Sequence, residues 1–383
     1  MTLCSALALQ TGVARADTAA AIQSLERGMS ALEAAPNMVA LGACVASAED
    51  VLLLRVQGQR RRSGDRIDLK TRFRLASLSK SFAATTALML ERSDLLDLAT
   101  PIRQLVPYFT LPRAEDARRA TLLHALSHRL GLPPNAYDNL LEAGRRPEVI
   151  VRRLEEVKPL CAAGDCYAYQ NVGFNLIADA IEAATQVGFE EQVQHRVLTP
   201  LNMDDTGFGR PHLLRDDNWA RPHRGRGSFL REVGVNENYY RVPAAAGMNA
   251  SIRDLCVWLQ AQLGGASEVL DDTLLARLTQ PQVVTRAELY RGRWRRTRLR
   301  DAQYGLGWRI YNYAGHRVVF HAGSVSGYGA LFALRPEDRV GLAAVWNSES
   351  TRPWGLAATF LDGLLGLPPE DWLKLEELSQ EAP

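Results

Sequence analysis

Strand-forming runs stand at both ends of this 383-residue chain, and helix-forming runs fill its middle. Near the start, Met38 to Ala46 and Val51 to Val56 are apolar runs on either side of Ser47-Ala48-Glu49-Asp50, which is a hairpin pattern. Leu69 to Leu75 predicts a third short strand. In the last quarter, Tyr304 to Tyr313, Arg317 to His321, Tyr328 to Arg335 and Val340 to Asn347 follow one another with turns such as Arg335-Pro336-Glu337-Asp338 between them. That order predicts an antiparallel meander.

Helical periodicity occupies Ser81 to Leu90, Arg118 to Leu126, Pro147 to Val157, Gly173 to Ala184, Phe189 to Val197 and Ser251 to Gly264. Amphipathic helices are also expected at Ala19 to Glu33 and Pro353 to Leu365. The fold class expected is therefore α/β (α+β), an antiparallel sheet flanked by N- and C-terminal helices, with an all-helical domain inserted. The boundaries read as 19–76 with 240–370 for the split sheet domain and 77–239 for the helical domain. Residues 1–18 read as a leader remnant and 371–383 as a tail.

Composition narrows the function. The chain is 46% hydrophobic and 23% charged, enough for a large core, and 45 basic residues nearly balance 43 acidic ones. A net charge of +2 gives no basic face for nucleic acid. The run Gly292-Arg293-Trp294-Arg295-Arg296-Thr297-Arg298 is a local exception, read as a solvated loop or hairpin. No stretch reaches the roughly 18 apolar residues of a membrane helix.

Met1 to Val13 is small and apolar, and Ala14-Arg15-Ala16 has the form of a signal-peptidase site, although a basic start is missing. A longer leader and a frayed tail both fit. Cys161 and Cys166 bracket Ala-Ala-Gly-Asp, a loop short enough to close as a disulfide; zinc is the rival reading, but no second cysteine pair follows. A bridge and a leader both imply an oxidising compartment, hence a periplasmic or secreted protein, with a cytoplasmic one as the alternative. Cys4, Cys44 and Cys256 read as leader, strand and helix fillers.

Chemistry concentrates at Ser77-Leu78-Ser79-Lys80. Lysine occurs only at 70, 80, 158 and 374, in a chain otherwise rich in arginine. Arginine cannot be deprotonated in a protein, so only lysine can serve as a base here. Positions i and i+3 share a helix face, which lets a neutral Lys80 take the Ser77 proton as the oxygen attacks a carbonyl. Chance spacing of a serine and a lysine is the alternative. Tyr169-Gln170-Asn171 offers a phenol able to shuttle a proton beside a lysine ammonium and an amide able to hold substrate. Packing plus a helix N-cap is the plainer reading. His321-Ala322-Gly323-Ser324 ends a strand. Its glycine allows a close approach, and the Ser324 N–H can join that of Ser77 as an oxyanion hole, whereas His321 alone reads equally as structural.

In this order the three motifs resemble class C β-lactamases and the related penicillin-binding proteins, D-Ala-D-Ala carboxypeptidases and esterases. Phe73 to Lys80, Leu123 to Pro133 with its His-x-x-Gly-Leu turn, Pro200 to Phe208 and Tyr304 to Trp308 carry the likeness further, over roughly Ala19 to Gly366. The resemblance implies Ser77 as the acylated nucleophile, and Lys80 and Tyr169 as the groups that activate it and return the proton. It also implies Asn171, His321, Gly323 and Ser324 as substrate-binding residues, with no metal and no cofactor. Asn347 is placed within reach of a substrate carboxylate. β-Lactamases of this family carry lysine where His321 stands, which argues against efficient β-lactam turnover and gives His321 the role of carboxylate reader. The expected substrate is a β-lactam, a D-Ala peptide derived from peptidoglycan, or a small ester. A sensor that acylates without turning over, a carboxylesterase and an inactive scaffold are the alternatives.

Overall fold

A computed structural model describes residues 17–381. Eight strands form one antiparallel sheet: β1 (Ala40–Ser47), β2 (Val51–Gly58), β3 (Val283–Val284), β4 (Leu299–Tyr304), β5 (Arg309–Tyr313), β6 (His316–Val325), β7 (Tyr328–Arg335) and β8 (Val340–Trp346). The spatial order is β2-β1-β8-β7-β6-β5-β4-β3. The C-terminal meander therefore ends against the N-terminal hairpin, with Leu41 opposite Trp346 and Ser47 opposite Val340. The hairpin turns where Ser47 Oγ accepts from the N–H groups of Glu49 and Asp50.

Alternation along the strands builds two cores. Leu41, Ala43 and Val45 of β1, Leu331 and Ala333 of β7, and Leu342 and Ala344 of β8 face α1 (Thr18–Glu33) and the C-terminal helix Leu356–Leu364. Ala40, Cys44 and Ala46, with Phe332 and Val345, face the other way. They pack on the helix Ile252–Gln262 and share a core with the helices between Ser79 and Ala246. Cys44 is bonded to Cys256 on that helix, 212 residues later. The pair reads as fillers in the sequence but links sheet to helix in the fold. Cys161 and Cys166 are also bridged, and Cys4 lies outside the described residues.

Four other segments differ from expectation. Tyr304 to Tyr313 is two strands, because the Gly305-Leu306-Gly307-Trp308 turn reverses the chain, with Gly307 at φ +70°. The Leu69 to Leu75 run contributes only Arg72–Arg74, in a small separate sheet with Met248–Ser251 and Gly207–Phe208. The Arg118 to Leu126 helix breaks at Ala120, where Thr121 caps a new helix by accepting from the His124 N–H. Arg293–Arg298 is a short helix rather than a loop, because Trp294 buries its ring against Tyr311 and Phe320. Among the described residues no helix is long and apolar enough to cross a membrane.

Candidate active site

The Ser77 turn is held from both sides. After the strand Arg72–Arg74 the chain makes a 3₁₀ turn over Ala76–Leu78 and then enters α2 (Ser79–Arg92). Ala76 has φ +48°, a left-handed conformation that costs an alanine roughly 1 kcal/mol or more. Ser79 stabilises the turn: its Oγ donates to Ala76 O at 2.7 Å and accepts from the Met248 N–H at 3.1 Å. Ser81 Oγ donates to Leu78 O and accepts from Trp258 Nε1. Both neighbouring serines are thus buried and fully engaged, while Ser77 keeps a partly exposed hydroxyl.

On the other side lies β6, which outruns its neighbour β5. Pairing with β5 stops at Phe320, so His321 to Val325 are paired only with β7, and their second edge faces the Ser77 turn. Gly323 makes the contact possible. A Cβ there would lie 2.1 Å from Leu75 O and 3.0 Å from Ser77 N. The glycine therefore admits the nucleophile turn itself, rather than a substrate as the sequence suggested. Ser324, one residue on, is exposed.

Lys80 is fully buried one turn into α2. Its Nζ lies 2.8 Å from Asn171 Oδ1, 2.9 Å from Ala245 O and 3.3 Å from Ser77 Oγ. A neutral amine has two N–H groups and one lone pair. Two carbonyl oxygens take the N–H groups, and the lone pair is left for the Ser77 proton. Burial holds the Lys80 pKa well below the ordinary lysine value; the Asp138 carboxylate opposes this and the Arg309 charge reinforces it. The backbone of α2 is closely backed here, since a Cβ on Gly307 would meet Lys80 O at 2.5 Å.

Tyr169 comes from the loop before α3 (Val172–Thr185). Its phenol stands beside Ser77 and its ring lies 4.7 Å from Lys80 Nζ. Burial pushes its pKa well above the ordinary tyrosine range, although the Arg309 charge and the Ser77 hydroxyl pull the other way. The phenol is therefore neutral, able both to donate and to accept a hydrogen bond. The loop is fastened to the His128–Tyr137 stretch: Ala168 N–H donates to His128 O, Asn135 N–H to Tyr169 O, and Ala136 N–H to Gln170 Oε1. The bridged 161–166 loop packs on the same stretch, where a Cβ on Gly131 would be 2.6 Å from Cys161 O.

Asn171 is held at both ends of its amide, with one Nδ2 hydrogen left over for a substrate carbonyl. Its Nδ2 donates to Asp138 Oδ2 at 2.6 Å while its Oδ1 accepts from Lys80. His321 is similarly engaged, and fully buried. The Gln170 N–H donates to His128 Nδ1, so His128 presents Nε2–H to the Tyr304 hydroxyl at 3.2 Å. Tyr304 then donates to His321 Nε2 at 3.2 Å, and His321 Nδ1–H donates to Ala322 O at 3.1 Å. Burial, with the Arg309 and Lys80 charges, holds both imidazoles well below the ordinary histidine pKa. The expected carboxylate reader is thus a neutral ring turned into the core. Asn347 is also redirected: it is fully buried, and its Nδ2 donates to Arg60 O and Arg221 O.

Two charged residues escaped the sequence reading. Asp138 sits behind Asn171, its pKa raised by burial despite the Asn171 bond and the Lys80 charge. Arg309 of β5 lies 5.3 Å from the centroid of the Tyr169 ring, ion-paired to buried Glu288 at 2.9 Å and donating to Tyr167 Oη at 3.2 Å. Among the described residues there is no group of three His, Cys, Asp or Glu side chains able to hold a metal ion.

An antiparallel sheet with both terminal helices packed on one face, a helical insertion, and a serine and lysine at the junction define the fold of class C β-lactamases and penicillin-binding proteins. The family model described as Beta-lactamase matches residues 23–364, and the chain belongs to that family. The octameric penicillin-binding protein homologue from Pyrococcus abyssi superposes with a TM-score of 0.77 at 23% identity, covering 91% of this chain and 78% of that one. A D-stereospecific amidohydrolase from Streptomyces gives 0.69 at 21% identity, covering 91% and 98%. The unguisins hydrolase ungD of Aspergillus violaceofuscus is 25% identical over 337 residues, 81% of this chain. The chain spans 59% of that relative's length. Hydrolases of the β-lactamase fold thus make up the neighbourhood.

Proposed function

We propose that the protein is a serine hydrolase that cleaves an amide or ester through a Ser77 acyl-enzyme. Neutral Lys80 takes the Ser77 proton as Oγ attacks the carbonyl carbon. The N–H groups of Ser77 and Ser324 stabilise the oxyanion. Lys80, through Tyr169, delivers the proton to the leaving group, and the ester is then hydrolysed by water activated at the same pair. The observation that carries this reading is the buried Lys80 amine, whose lone pair is left for Ser77 once Asn171 and Ala245 have taken its two N–H groups.

The substrate classes that fit are a β-lactam, a D-Ala peptide and a small ester. A sensor that acylates without turnover is the second reading, since nothing in the Ser77–Lys80 pair itself sets the deacylation rate. Two disulfides support a periplasmic or secreted location, because such bridges persist in oxidising compartments. The test is mass spectrometry after a fluorophosphonate, together with turnover of 4-nitrophenyl esters, nitrocefin and D-Ala-D-Ala peptides. An adduct on Ser77 and a loss on the order of 10³-fold in Ser77→Ala are expected. An adduct on Ser79 or Ser81, or an active alanine variant, overturns the assignment; stoichiometric labelling without turnover selects the sensor.

A further inference from the structure

Two cavities flank the exposed end of β6 and share Thr351 and Trp354 as lining. One, of about 360 Å³, contains Ser324. The other, of about 500 Å³, contains Ala322 and Arg309. Each thus takes a residue of β6, the strand that abuts the Ser77 turn, and the two lobes share a wall.

The second lobe has an unbalanced charge. Arg291, Arg295 and Arg309 all converge on one carboxylate, Glu288, at 3.5, 3.8 and 2.9 Å. The other cations of the lobe have carboxylates of their own: Arg293 pairs with Glu370 and Lys374 with Glu377. Three guanidiniums on one carboxylate leave two positive charges in surplus. Arg309 is fixed by Glu288 and Tyr167, whereas Arg295 Nε is buried without a hydrogen-bond acceptor among the described residues. Arg291 is more than half exposed and only loosely paired. Trp294, Trp354 and Trp372 line the same lobe.

We propose that this arginine-lined lobe is a substrate subsite for a carboxylate or similar anionic group beside the bond cleaved, with Arg291 and Arg295 as its readers. It supplies the cationic contact that buried His321 does not. The proposal names the substrate class of the Ser77 hydrolase and rests on that reading.

The first test needs no turnover. Ser77→Ala protein is titrated with 4-nitrobenzoate and with uncharged 4-nitrobenzamide, following quenching of tryptophan fluorescence. Preferential binding of the acid that weakens with added salt and falls about ten-fold in the Ser77→Ala, Arg291→Gln double variant is expected. Equal binding of acid and amide, or indifference to Arg291→Gln, overturns the subsite. The second test compares 4-nitrophenyl butyrate with 4-nitrophenyl hemisuccinate, charged on the acyl side, and 3-carboxy-4-nitrophenyl butyrate, charged on the leaving group. Arg291→Gln should lower the charged-to-neutral ratio of kcat/KM about ten-fold for at least one charged ester. Unchanged ratios for both overturn the proposal. Acid-selective binding by a protein that hydrolyses none of the esters leaves the subsite standing and refutes the hydrolase reading.

Discussion

Asp138 accepts a 2.6 Å hydrogen bond from Asn171 and so fixes which end of that amide faces Lys80. With Nδ2 committed to the carboxylate, Oδ1 is left for the amine. Asp138 therefore positions the candidate base through Asn171, and its negative charge also favours the protonated amine. The two effects are separable. Asp138→Asn keeps an acceptor for Asn171 and removes the charge. The Lys80 pKa should then fall further, and the acid limb of the kcat/KM profile should move to lower pH. Asp138→Ala removes the acceptor as well, frees Asn171 to turn, and should lower kcat by about ten- to a hundred-fold. An unmoved acid limb in Asp138→Asn would show that the carboxylate has no electrostatic hold on the base.

The sign of the pH dependence follows from Lys80 itself. The nucleophile is activated only while the amine is neutral. As pH falls through the depressed Lys80 pKa the amine is protonated and the rate is lost; above it the rate is flat until another group titrates. The acid limb should therefore lie well below the ordinary lysine value. Lys80→Arg, which cannot be deprotonated, should lose activity by about 10²- to 10⁴-fold at every pH. A Lys80→Arg variant that regains activity at high pH would contradict the assignment.

Tyr169 enters as a neutral phenol beside Ser77. A proton donor matters most when the leaving group is a poor one. Tyr169→Phe should cut hydrolysis of an anilide or alkyl amide by about 10²-fold or more and that of a 4-nitrophenyl ester much less, since 4-nitrophenolate leaves without a proton. Equal losses on both substrates would make the tyrosine a packing residue.

How much of this was legible in the chain depends on how local each signal was. Ser77 and Lys80 lie one helical turn apart, and a lysine among so many arginines stands out. β1, β7 and β8 were readable as short apolar runs bounded by turns, since both faces of each strand are buried. Arg309 was hidden by the abundance of arginine, and its role depends on Glu288 and Tyr167, each distant in sequence. Asp138 meets Asn171 only because the His128–Tyr137 stretch folds over the Tyr169 loop. The Cys44–Cys256 bond spans 212 residues, and no spacing rule reaches that far. His321 misled because the motif fixes its place on β6 but not that Tyr304 and Ala322 would occupy both ring nitrogens.

The two bridges should act on different properties. In the chain-entropy view, closing a loop of 212 residues contributes about 5 kcal/mol and closing one of five about 2 kcal/mol. Cys44→Ala with Cys256→Ala should therefore lower global stability in denaturant unfolding by the larger amount. The Cys161→Ala, Cys166→Ala pair should cost less stability but more activity, because its loop packs on the stretch that holds Tyr169. Denaturation midpoints and ester turnover measured on both double variants decide the matter; equal stability losses would reject the entropic account.

His321→Lys tests the burial of the third motif. The side chain sits in the core with the Arg309 charge and the Lys80 amine nearby, and Tyr304 and Ala322 take its two nitrogens. An ammonium placed there could donate to the Tyr304 oxygen and the Ala322 carbonyl, but has no carboxylate beside it. Desolvation and the Arg309 charge both oppose it. The variant should therefore lose on the order of 3 kcal/mol of stability, or bury a neutral lysine. In neither case does a cation reach the substrate side of β6. The nitrocefin-to-ester ratio should accordingly stay within about two-fold of wild type in protein shown to be folded by circular dichroism. A stable His321→Lys protein with a nitrocefin ratio raised ten-fold would mean that the side chain at 321 turns outward to substrate, and that the Tyr304 hydrogen bond does not hold it in.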